Sequence, residues 1–482
     1  MIEVRRQQLV LRPNATRVLV RPFLPPPDSP RTLLILTRIL ALSEDEVTVQ
    51  LGEVLGEFSD RHQKIRAIFL ERYEHIRSVI PSDRPISENR RLLIGAYFTN
   101  EYSLESAALF NPSIVMAPDQ EGVPDGALRF IMSLRATGEG HISSITFRSG
   151  LVLPDGSVSI RPHAKFVSEP RPIPHASYDR NLFERKLAEL GQDNSTTRGI
   201  LGRLGDAFTL DQLCAAVESH RREFPQQEHV SNGQHMVQLA RANYDVAFDP
   251  EDDISERIIF PFSPSESNGI EDARFTRFVD EDGEVTYHAT YTAYDGHVIL
   301  PQLLETRDFL HFGTRTLNGP AVQNKGMALF PRKIDGHYVM LSRQDNENIR
   351  LMYSDQLHFW YESQIIVRPK QAWEFVQLGN CGPPIETERG WIVLTHGVGP
   401  MRKYCIGAVL LDRDDPSRVI GRLSEPLIKP EGDEREGYVP NVVYTCGSLA
   451  HNGRLVIPYA LSDSATTFAS VDIEELLDAM GG

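Results

Sequence analysis

The chain has 482 residues, of which 41% are hydrophobic and 24% are charged, and its formal net charge is −16. This composition is typical of a folded globular protein rather than a disordered or membrane-embedded one. The negative charge argues against nucleic acid and against an anionic membrane as partners, because both bind clusters of Lys and Arg. We therefore expect a neutral ligand, or a small anion held in a local basic pocket.

The ends and the cysteines of the sequence indicate a reducing compartment. The first residues, Met1 to Gln7, lack the apolar stretch of a secretory signal. The most apolar early run, Leu33 to Leu42, is too short to span a bilayer and is predicted to be a buried helix. The four cysteines form no Cys-x-x-Cys pair, so neither a zinc knuckle nor a disulfide framework is indicated. We expect a cytoplasmic protein.

Two regions show helical patterns. We predict an N-terminal helical region over residues 1–100, in which Ser43 and Glu46 form a capping box. A helical insertion is predicted at about residues 165–241, with a second capping box at Thr209 and a flexible connector from Gly199 to Gly205. The N-terminal region and the insertion are expected to cover one end of a ligand pocket or to mediate self-association into a homo-oligomer.

The rest of the chain, residues 101–482 outside the insertion, is predicted to be β structure that repeats. Each unit has an apolar strand, a turn that ends in glycine, a second apolar strand and a polar loop. Such a repeat is typical of an all-β five-bladed β-propeller, with the insertion between its first two blades. The turn glycines are Gly126, Gly283, Gly336, Gly390 and Gly453.

Polar residues gather where the second strand of each unit ends. Equivalent loops of successive blades surround one end of a propeller axis, so these loops are expected to ring one pocket. The start of each first strand lies at the same end, because it pairs with the finish of the second strand. Asp272 and Lys325 precede their turn glycines by the same distance and are therefore expected to be neighbours. The loop residues are Arg135, Tyr294, Asp295, Arg343, His396 and Asp463.

Several ordered stretches resemble glycoside hydrolase family 130, the β-mannoside phosphorylases and β-1,2-mannosidases. The resemblance covers about residues 104–164 and 242–480 and leaves the two helical regions unplaced. The stretches include Phe110-Asn111-Pro112, Gly269 to Arg274, Ala328 to Ile334, Thr395 to Val398 and Val439 to Val443.

The resemblance implies a five-bladed propeller that inverts the anomeric carbon with Asp272 as its general acid. In the family's phosphorylases this acid acts through the 3-hydroxyl of the mannosyl unit, and inorganic phosphate replaces water as the nucleophile. The substrates would be a β-mannoside oligosaccharide and phosphate, the product α-mannose 1-phosphate, and no cofactor or metal would be needed. The resemblance implies that the sugar is bound by Asn111, Arg135, Arg274, Tyr294, Asp295 and Asp463, and phosphate by Lys325, Arg343, Gln377 and His396.

One departure keeps a second reaction open. Gln377 stands where the family's phosphorylases have a lysine, so one phosphate-binding charge is missing. An inverting hydrolase would need a second carboxylate to activate water. The nearest candidates are Glu431, Glu434 and Glu436, although a solvated acidic loop is the simpler interpretation. A remote alternative is a non-catalytic propeller that binds glycans.

Overall fold

The structure is a computed structural model that describes residues 2–26, 29–81, 84–173 and 177–481. Most of the helices fall into two groups in the sequence. The first helical group spans residues 31–97 and the second spans residues 180–241. None of the helices in the described ranges is both long and apolar enough to traverse a bilayer. The helices are α1 (Arg31–Leu40), α2 (Glu44–Phe58), α3 (Ile65–Ile76), α4 (Glu88–Tyr97), α5 (Arg180–Glu189), α6 (Ser195–Leu201), α7 (Leu210–Glu223), α8 (Gln227–Arg241) and α9 (Ile473–Met480).

Strands make up most of the regular structure. Those before the second helical group are β1 (Arg5–Leu11), β2 (Val18–Pro22), β3 (Thr99–Ser103), β4 (Ala108–Met116), β5 (Leu128–Thr137), β6 (Ser143–Val152), β7 (Val158–Ile160), β8 (Arg171–Pro172) and β9 (Ser177–Asp179). Within and after that group lie β10 (Ala207–Thr209), β11 (Tyr244–Ala247), β12 (Ile258–Ile259), β13 (Ile270–Val279), β14 (Val285–Tyr294), β15 (Ile299–Thr306), β16 (His311–Thr316), β17 (Ala328–Leu329), β18 (Tyr338–Ser342), β19 (Ile349–Ser354) and β20 (Gln364–Val367). The last are β21 (Gln377–Asn380), β22 (Ile385–Thr387), β23 (Gly390–Val398), β24 (Tyr404–Leu411), β25 (Val419–Arg422), β26 (Val443–Tyr444), β27 (Leu449–His451), β28 (Arg454–Leu461) and β29 (Ala465–Asp472).

These strands form five antiparallel sheets of four or more strands within the described ranges, together with the two-stranded ribbons β2–β3 and β9–β10. The first sheet has the order β12-β6-β5-β4 and the second β13-β14-β15-β16-β11-β8. The third is β17-β18-β19-β20, the fourth β21-β23-β24-β25 and the fifth β1-β29-β28-β26. Strands β7, β22 and β27 attach to β6, β23 and β28. The predicted predominance of β structure is confirmed.

The five predicted hairpin turns are confirmed. Each turn glycine connects or opens an antiparallel pair, and all five have positive φ, from 72° at Gly453 to 138° at Gly390. A β-carbon is disfavoured in this left-handed region, which is why glycine marks these turns so clearly in the sequence.

The N-terminal region is only partly helical. Helices α1 to α4 are present, and the Ser43–Glu46 capping box is confirmed. The prediction was wrong for the segment before α1, because β1 pairs with β29 of the fifth sheet and β2 pairs with β3. Leu9 and Leu11 of β1 pack against a buried apolar cluster, which explains why so short a segment forms a strand.

The second helical group has an apolar core of its own, which includes Phe183, Leu213 and Met236. The capping box at Thr209 is confirmed. The predicted connector from Gly199 was wrong in its first three residues, which belong to α6. Asn194 caps that helix by accepting two backbone N–H groups, and the glycine allows the helix to pack closely on His220.

Candidate functional site

Two bulged strands meet at Asp272. Strand β13 changes register between Glu271 and Arg274, and β4 does so between Phe110 and Ser113. The bulges place Asp272 at φ 54° and Asn111 at φ 47°, in a region that Asp and Asn tolerate better than most residues. Asn111 Nδ2 donates to Asp272 Oδ1 at 2.7 Å, and both side chains are buried. The strained backbone therefore fixes a carboxylate–amide pair between two sheets.

Arg135 of β5 bridges two carboxylates of β13. Its Nη1 lies 3.4 Å from Asp272 Oδ1 and its Nη2 lies 3.0 Å from Glu271 Oε1. Its Nε donates to Ser143 Oγ at 2.9 Å, which orients the guanidinium. Lys325 approaches from the third sheet, with Nζ at 3.3 Å from Glu271 Oε2. The structure thus brings Asp272 and Lys325 together, as their equivalent positions predicted.

Arg274 supports Asp272 from inside the protein. Its Nη1 donates to the Asp272 carbonyl at 2.9 Å, its Nε to the Cys381 carbonyl at 2.8 Å and its Nη2 to Tyr444 Oη at 2.8 Å. The side chain is 1% exposed. Arg274 was expected to bind sugar, but here all three nitrogens donate to protein groups, so it positions Asp272.

The surrounding charges decide the protonation state of Asp272. Burial alone would raise the pKa of this carboxyl, but the cations Arg135, Arg274 and Lys325 and the Asn111 hydrogen bond hold the pKa well below its usual range. Without ligand, Asp272 is therefore an anion at neutral pH.

Arg343 and His396 form a second buried group. Arg343 Nη1 lies 3.1 Å from His396 Nε2, so the neutral imidazole accepts this hydrogen bond. Burial and the charges of Arg343 and Arg274 hold the pKa of His396 well below its usual value, which is consistent with a neutral ring. The His396 ring lies 5.1 Å from the Tyr444 ring, and Tyr444 contacts Arg274. The second group is thereby joined to the first.

Two glycines allow this second group to pack. A β-carbon on Gly379 would lie 2.5 Å from His396 Cε1 and 2.8 Å from Arg343 Cδ. A β-carbon on Gly326 would lie 2.5 Å from Arg343 Nε. Gln377 lies two residues before Gly379 on β21, and alternate residues of a strand share a face. Gln377 is therefore on the face that carries Arg343 and His396.

Asp463 is a further carboxylate near Asp272. It follows β28 at φ 50°. Burial and the negative charge of Asp272 raise its pKa to about 6, against the opposing effect of Arg135 and Arg402. A carboxyl group with a raised pKa beside a second carboxylate is typical of sites that transfer protons.

Tyr294 and Asp295 close the turn between β14 and β15. Tyr294 Oη donates to the Gly296 carbonyl at 2.9 Å. Asp295 Oδ1 accepts the backbone N–H groups of His297 and Val298 at 2.8 and 2.6 Å. Both residues that were predicted to bind sugar therefore make hydrogen bonds within their own turn in this structure.

Two glutamates of the acidic loop before β26 contact other parts of the protein. Glu434 accepts a hydrogen bond from Tyr459 Oη at 2.7 Å and pairs with Arg6 at 2.7 Å. Glu431 also lies 3.5 Å from Arg6, and Glu436 is exposed. The two ion-paired glutamates thus anchor the N-terminal strand, and the solvated-loop interpretation fits better than a catalytic base.

Sequence reasoning missed three residues that organise the site: Glu271, Ser143 and Tyr444. Glu271 accepts both Arg135 and Lys325, and its position beside Asp272 at the start of a first strand was the available signal. Ser143 acts on Arg135 from the neighbouring strand β6, Tyr444 acts on Arg274 from another sheet, and no local pattern marks either residue.

A family model described as beta-1,4-mannooligosaccharide phosphorylase of glycoside hydrolase family 130 matches residues 227–481. A 1,2-beta-oligomannan phosphorylase of Thermoanaerobacter sp. (strain X514) is 36% identical over 219 residues, which cover 44% of this chain and 71% of that protein. A beta-1,2-mannobiose phosphorylase of Listeria innocua is 31% identical over 227 residues, covering 45% of this chain and 62% of the relative.

Among solved structures, the beta-1,2-mannobiose phosphorylase of Listeria innocua in complex with beta-1,2-mannobiose has a TM-score of 0.47 at 19% identity, covering 79% of this chain and 93% of that one. The family match contains Asp272, Lys325, Arg343, Gln377, His396 and Asp463. Because it spans more than half of the chain, the chain belongs to glycoside hydrolase family 130.

Proposed function

We propose that this chain is an inverting β-mannoside phosphorylase that cleaves a β-mannoside oligosaccharide with inorganic phosphate to give α-mannose 1-phosphate. The observation that carries the proposal is the buried carboxylate of Asp272, set among Arg135, Arg274 and Lys325 and joined through Tyr444 to the Arg343–His396 pair. The relatives named above are phosphorylases of β-mannosides, which agrees with this chemistry.

The phosphate is proposed to bind to Lys325, Arg343, Gln377 and His396. Lys325 is one-third exposed, so its ammonium can reach a ligand as well as Glu271. Arg343 Nη1 is held by His396 at 3.1 Å, which leaves the rest of the planar guanidinium to donate to phosphate oxygens. Gln377 would contribute an uncharged hydrogen bond. One anion and no cofactor then suffice.

Asp272 is proposed to gain its proton when the substrates bind. A phosphate dianion beside Lys325 and Arg343 offsets the positive charge that keeps the pKa of Asp272 low. The raised pKa of Asp463, about 6, makes that neighbour a candidate proton donor to the site, since a group titrating near the working pH transfers protons readily. Asp272 would then protonate the leaving oxygen through the 3-hydroxyl of the mannosyl unit, and phosphate would attack the opposite face. Asn111, Arg135 and Asp463 are proposed to hold that unit.

We propose that the five antiparallel sheets are the blades of a five-bladed propeller over residues 101–482. The second helical group would then be the insertion at about residues 165–241, and residues 1–100 would form a separate region that lends β1 to the last blade. The five hairpins support this arrangement. The strand order also supports it, because the central strands of every sheet lie side by side in the order of the chain. Free cysteines at 214, 381, 405 and 446 fit a cytoplasmic location, and self-association remains part of the proposal.

Hydrolysis by an inverting β-1,2-mannosidase is the second candidate. The observation in its favour is Asp463, a second carboxylate whose pKa of about 6 suits a general base that activates water. Gln377 stands in place of a lysine. This exchange weakens phosphate binding and therefore also favours hydrolysis.

The test is to incubate the protein with β-1,2- and β-1,4-mannobiose, with and without phosphate, and to follow the products by NMR. We expect α-mannose 1-phosphate, formed only when phosphate is present. Equal release of mannose without phosphate would establish the hydrolase instead. An Asp272→Asn variant should lose at least about 10³-fold in turnover while remaining folded, as a cooperative melting curve would show. Full activity of that variant would remove Asp272 from the mechanism, and binding without turnover by the native protein would favour a glycan-binding propeller.

A further inference from the structure

A cleft of about 630 Å³ lies between the N-terminal region, the second helical group and the loop before β13. Its walls include Arg21, Ile142, Leu210, Arg241, Phe262 and Ser267. A volume of this size is within the range of pockets that bind small ligands. A second cleft of about 290 Å³ shares Leu210, Arg241 and Phe262 with the first, so the two form one groove. We call this the insertion groove.

Two short segments connect the lining of the insertion groove to the site at Asp272. Ile142 precedes Ser143, whose hydroxyl accepts a hydrogen bond from Arg135. Ser267 lies two residues before Gly269, which packs so closely on Ser143 that a β-carbon there would lie 2.9 Å from the Ser143 backbone nitrogen. Two residues that line the groove are therefore close to the site: Ile142 adjoins Ser143, which contacts Arg135, and Ser267 is five residues before Asp272.

The exposed aromatic ring in the groove rests on a rigid loop. Buried Glu266 accepts the backbone N–H groups of Phe262 and Ser263, both at 2.9 Å. It also accepts Tyr244 Oη at 3.1 Å and Tyr291 Oη at 2.7 Å. The Tyr244 ring lies 5.0 Å from the Phe262 ring, yet Phe262 remains 54% exposed. The face of the Phe262 ring is thus exposed to solvent, and hydrogen bonds hold the backbone beneath it in place before any ligand binds.

A cation without a protein partner faces the same space. Arg241 is the last residue of α8 and is exposed, and within the described ranges no hydrogen bond or ion pair involves its guanidinium. Asn243 anchors this helix end, because it donates to Thr316 Oγ1 at 3.1 Å and accepts the Thr316 N–H at 2.7 Å. Arg21, in contrast, is engaged by Glu169 and lies over the Phe260 ring, so it forms part of the wall.

We infer that the insertion groove binds the acceptor part of a β-manno-oligosaccharide, the sugar units that extend away from the mannosyl unit at Asp272. An aromatic face packs on the C–H groups of a sugar ring, and a guanidinium donates to two adjacent hydroxyls. The groove would make the enzyme prefer longer chains to disaccharides. Arg21 and Leu210 lie outside the segment matched by the family model, whereas Arg241 and Phe262 lie inside it, so the groove is formed jointly by the matched segment and the added regions of this chain. The inference rests on the proposed function.

The test compares phosphorolysis of mannobiose and mannotetraose, in both β-1,2 and β-1,4 linkage, by native protein and by the Arg241→Ala and Phe262→Ala variants. We expect kcat/KM for the tetraose to fall about 2- to 12-fold in each variant, the range expected for losing one aromatic contact or one hydrogen bond. The disaccharide value should stay within about twofold. Tyr361→Ala, which removes a 66% exposed aromatic ring that does not line the groove, and Arg222→Ala are the matched controls. Equal losses for both chain lengths, or no loss for either, would overturn the inference.

A binding measurement separates this inference from the proposed function. Calorimetry with mannotetraose and the Asp272→Asn protein needs no turnover, and adding Phe262→Ala should weaken the binding by a similar factor. If native protein releases no product but this effect on binding is observed, the proposed reaction fails and the groove stands. If phosphorolysis proceeds and Phe262→Ala does not alter tetraose binding, the groove fails alone.

Discussion

Replacing Gly379 by alanine tests the proposed phosphate site without touching any group that carries charge. The added β-carbon would lie 2.5 Å from His396 Cε1, whereas ordinary contacts begin at 3.4 Å. The imidazole and the Arg343 guanidinium bonded to it must therefore move by roughly 1 Å, a displacement that can reduce a rate by up to about 10²-fold. The φ of Gly379 is not in the left-handed region, so backbone strain adds nothing.

The assay is initial-rate phosphorolysis at varied phosphate concentrations. We expect kcat/KM for phosphate to fall about 10- to 100-fold, equivalent to about 1.4 to 2.7 kcal/mol of transition-state stabilisation. Overpacking should also cost about 1–3 kcal/mol of the free energy of unfolding.

The matched control is Gly407→Ala on β24 of the same sheet. Its β-carbon would lie 2.4 Å from the Trp373 ring, a comparable overlap at a position that contacts neither Arg343 nor His396. This variant should lose similar stability and keep its phosphate dependence. An unchanged kcat/KM for phosphate in Gly379→Ala, or an equal loss in both variants, would refute the assignment of Arg343 and His396 to phosphate.

Two further outcomes follow from buried carboxylates. The pKa of Asp463 is raised from 3.8 to about 6, so the folded state binds more protons than the unfolded state between these values, and stability falls as pH rises through this window. The test is urea unfolding of native protein and of Asp463→Asn at pH 5 and pH 7. Relative to native protein, the variant should gain free energy of unfolding at pH 7. A gain at pH 5 only would contradict the direction of the inferred pKa shift. Glu266→Ala should cost about 3–5 kcal/mol in the same assay, because four donors lose their acceptor, whereas Glu53→Ala on the exposed side of α2 should change stability by less than about 0.5 kcal/mol.

The parts of the fold that were predictable are those encoded locally. Asp-Gly and Asn-Gly pairs require positive φ, so turns such as Gly283 and Gly453 could be located without the structure. The capping boxes at Ser43 and Thr209 are equally local. The pairing of β1 with β29 was not predictable, because it joins opposite ends of the chain and neither strand carries a signal for the other.

The site was predictable where the repeat placed it. Equivalent positions in successive units brought Lys325 next to Glu271 and Asp272. The repeat could not show that Arg274 would be used inside the protein or that the Asp295 carboxylate would cap its own turn, since both depend on which neighbouring donor or acceptor lies nearest. Nor could it show that Gly379 makes room for His396.

The pairing of β1 with β29 has a consequence for folding during synthesis. During synthesis the residues of β1 leave the ribosome long before those of β29, their hydrogen-bonding partner, because most of this chain lies between the two strands. The fifth sheet can be completed only after β29 has left the ribosome, and such long-range pairing is slow. Until then both strand edges are open to pairing with other chains, which is the condition under which strands aggregate. Yield in a heterologous host should therefore depend on chaperones that hold the nascent chain more than on the stability of the finished fold.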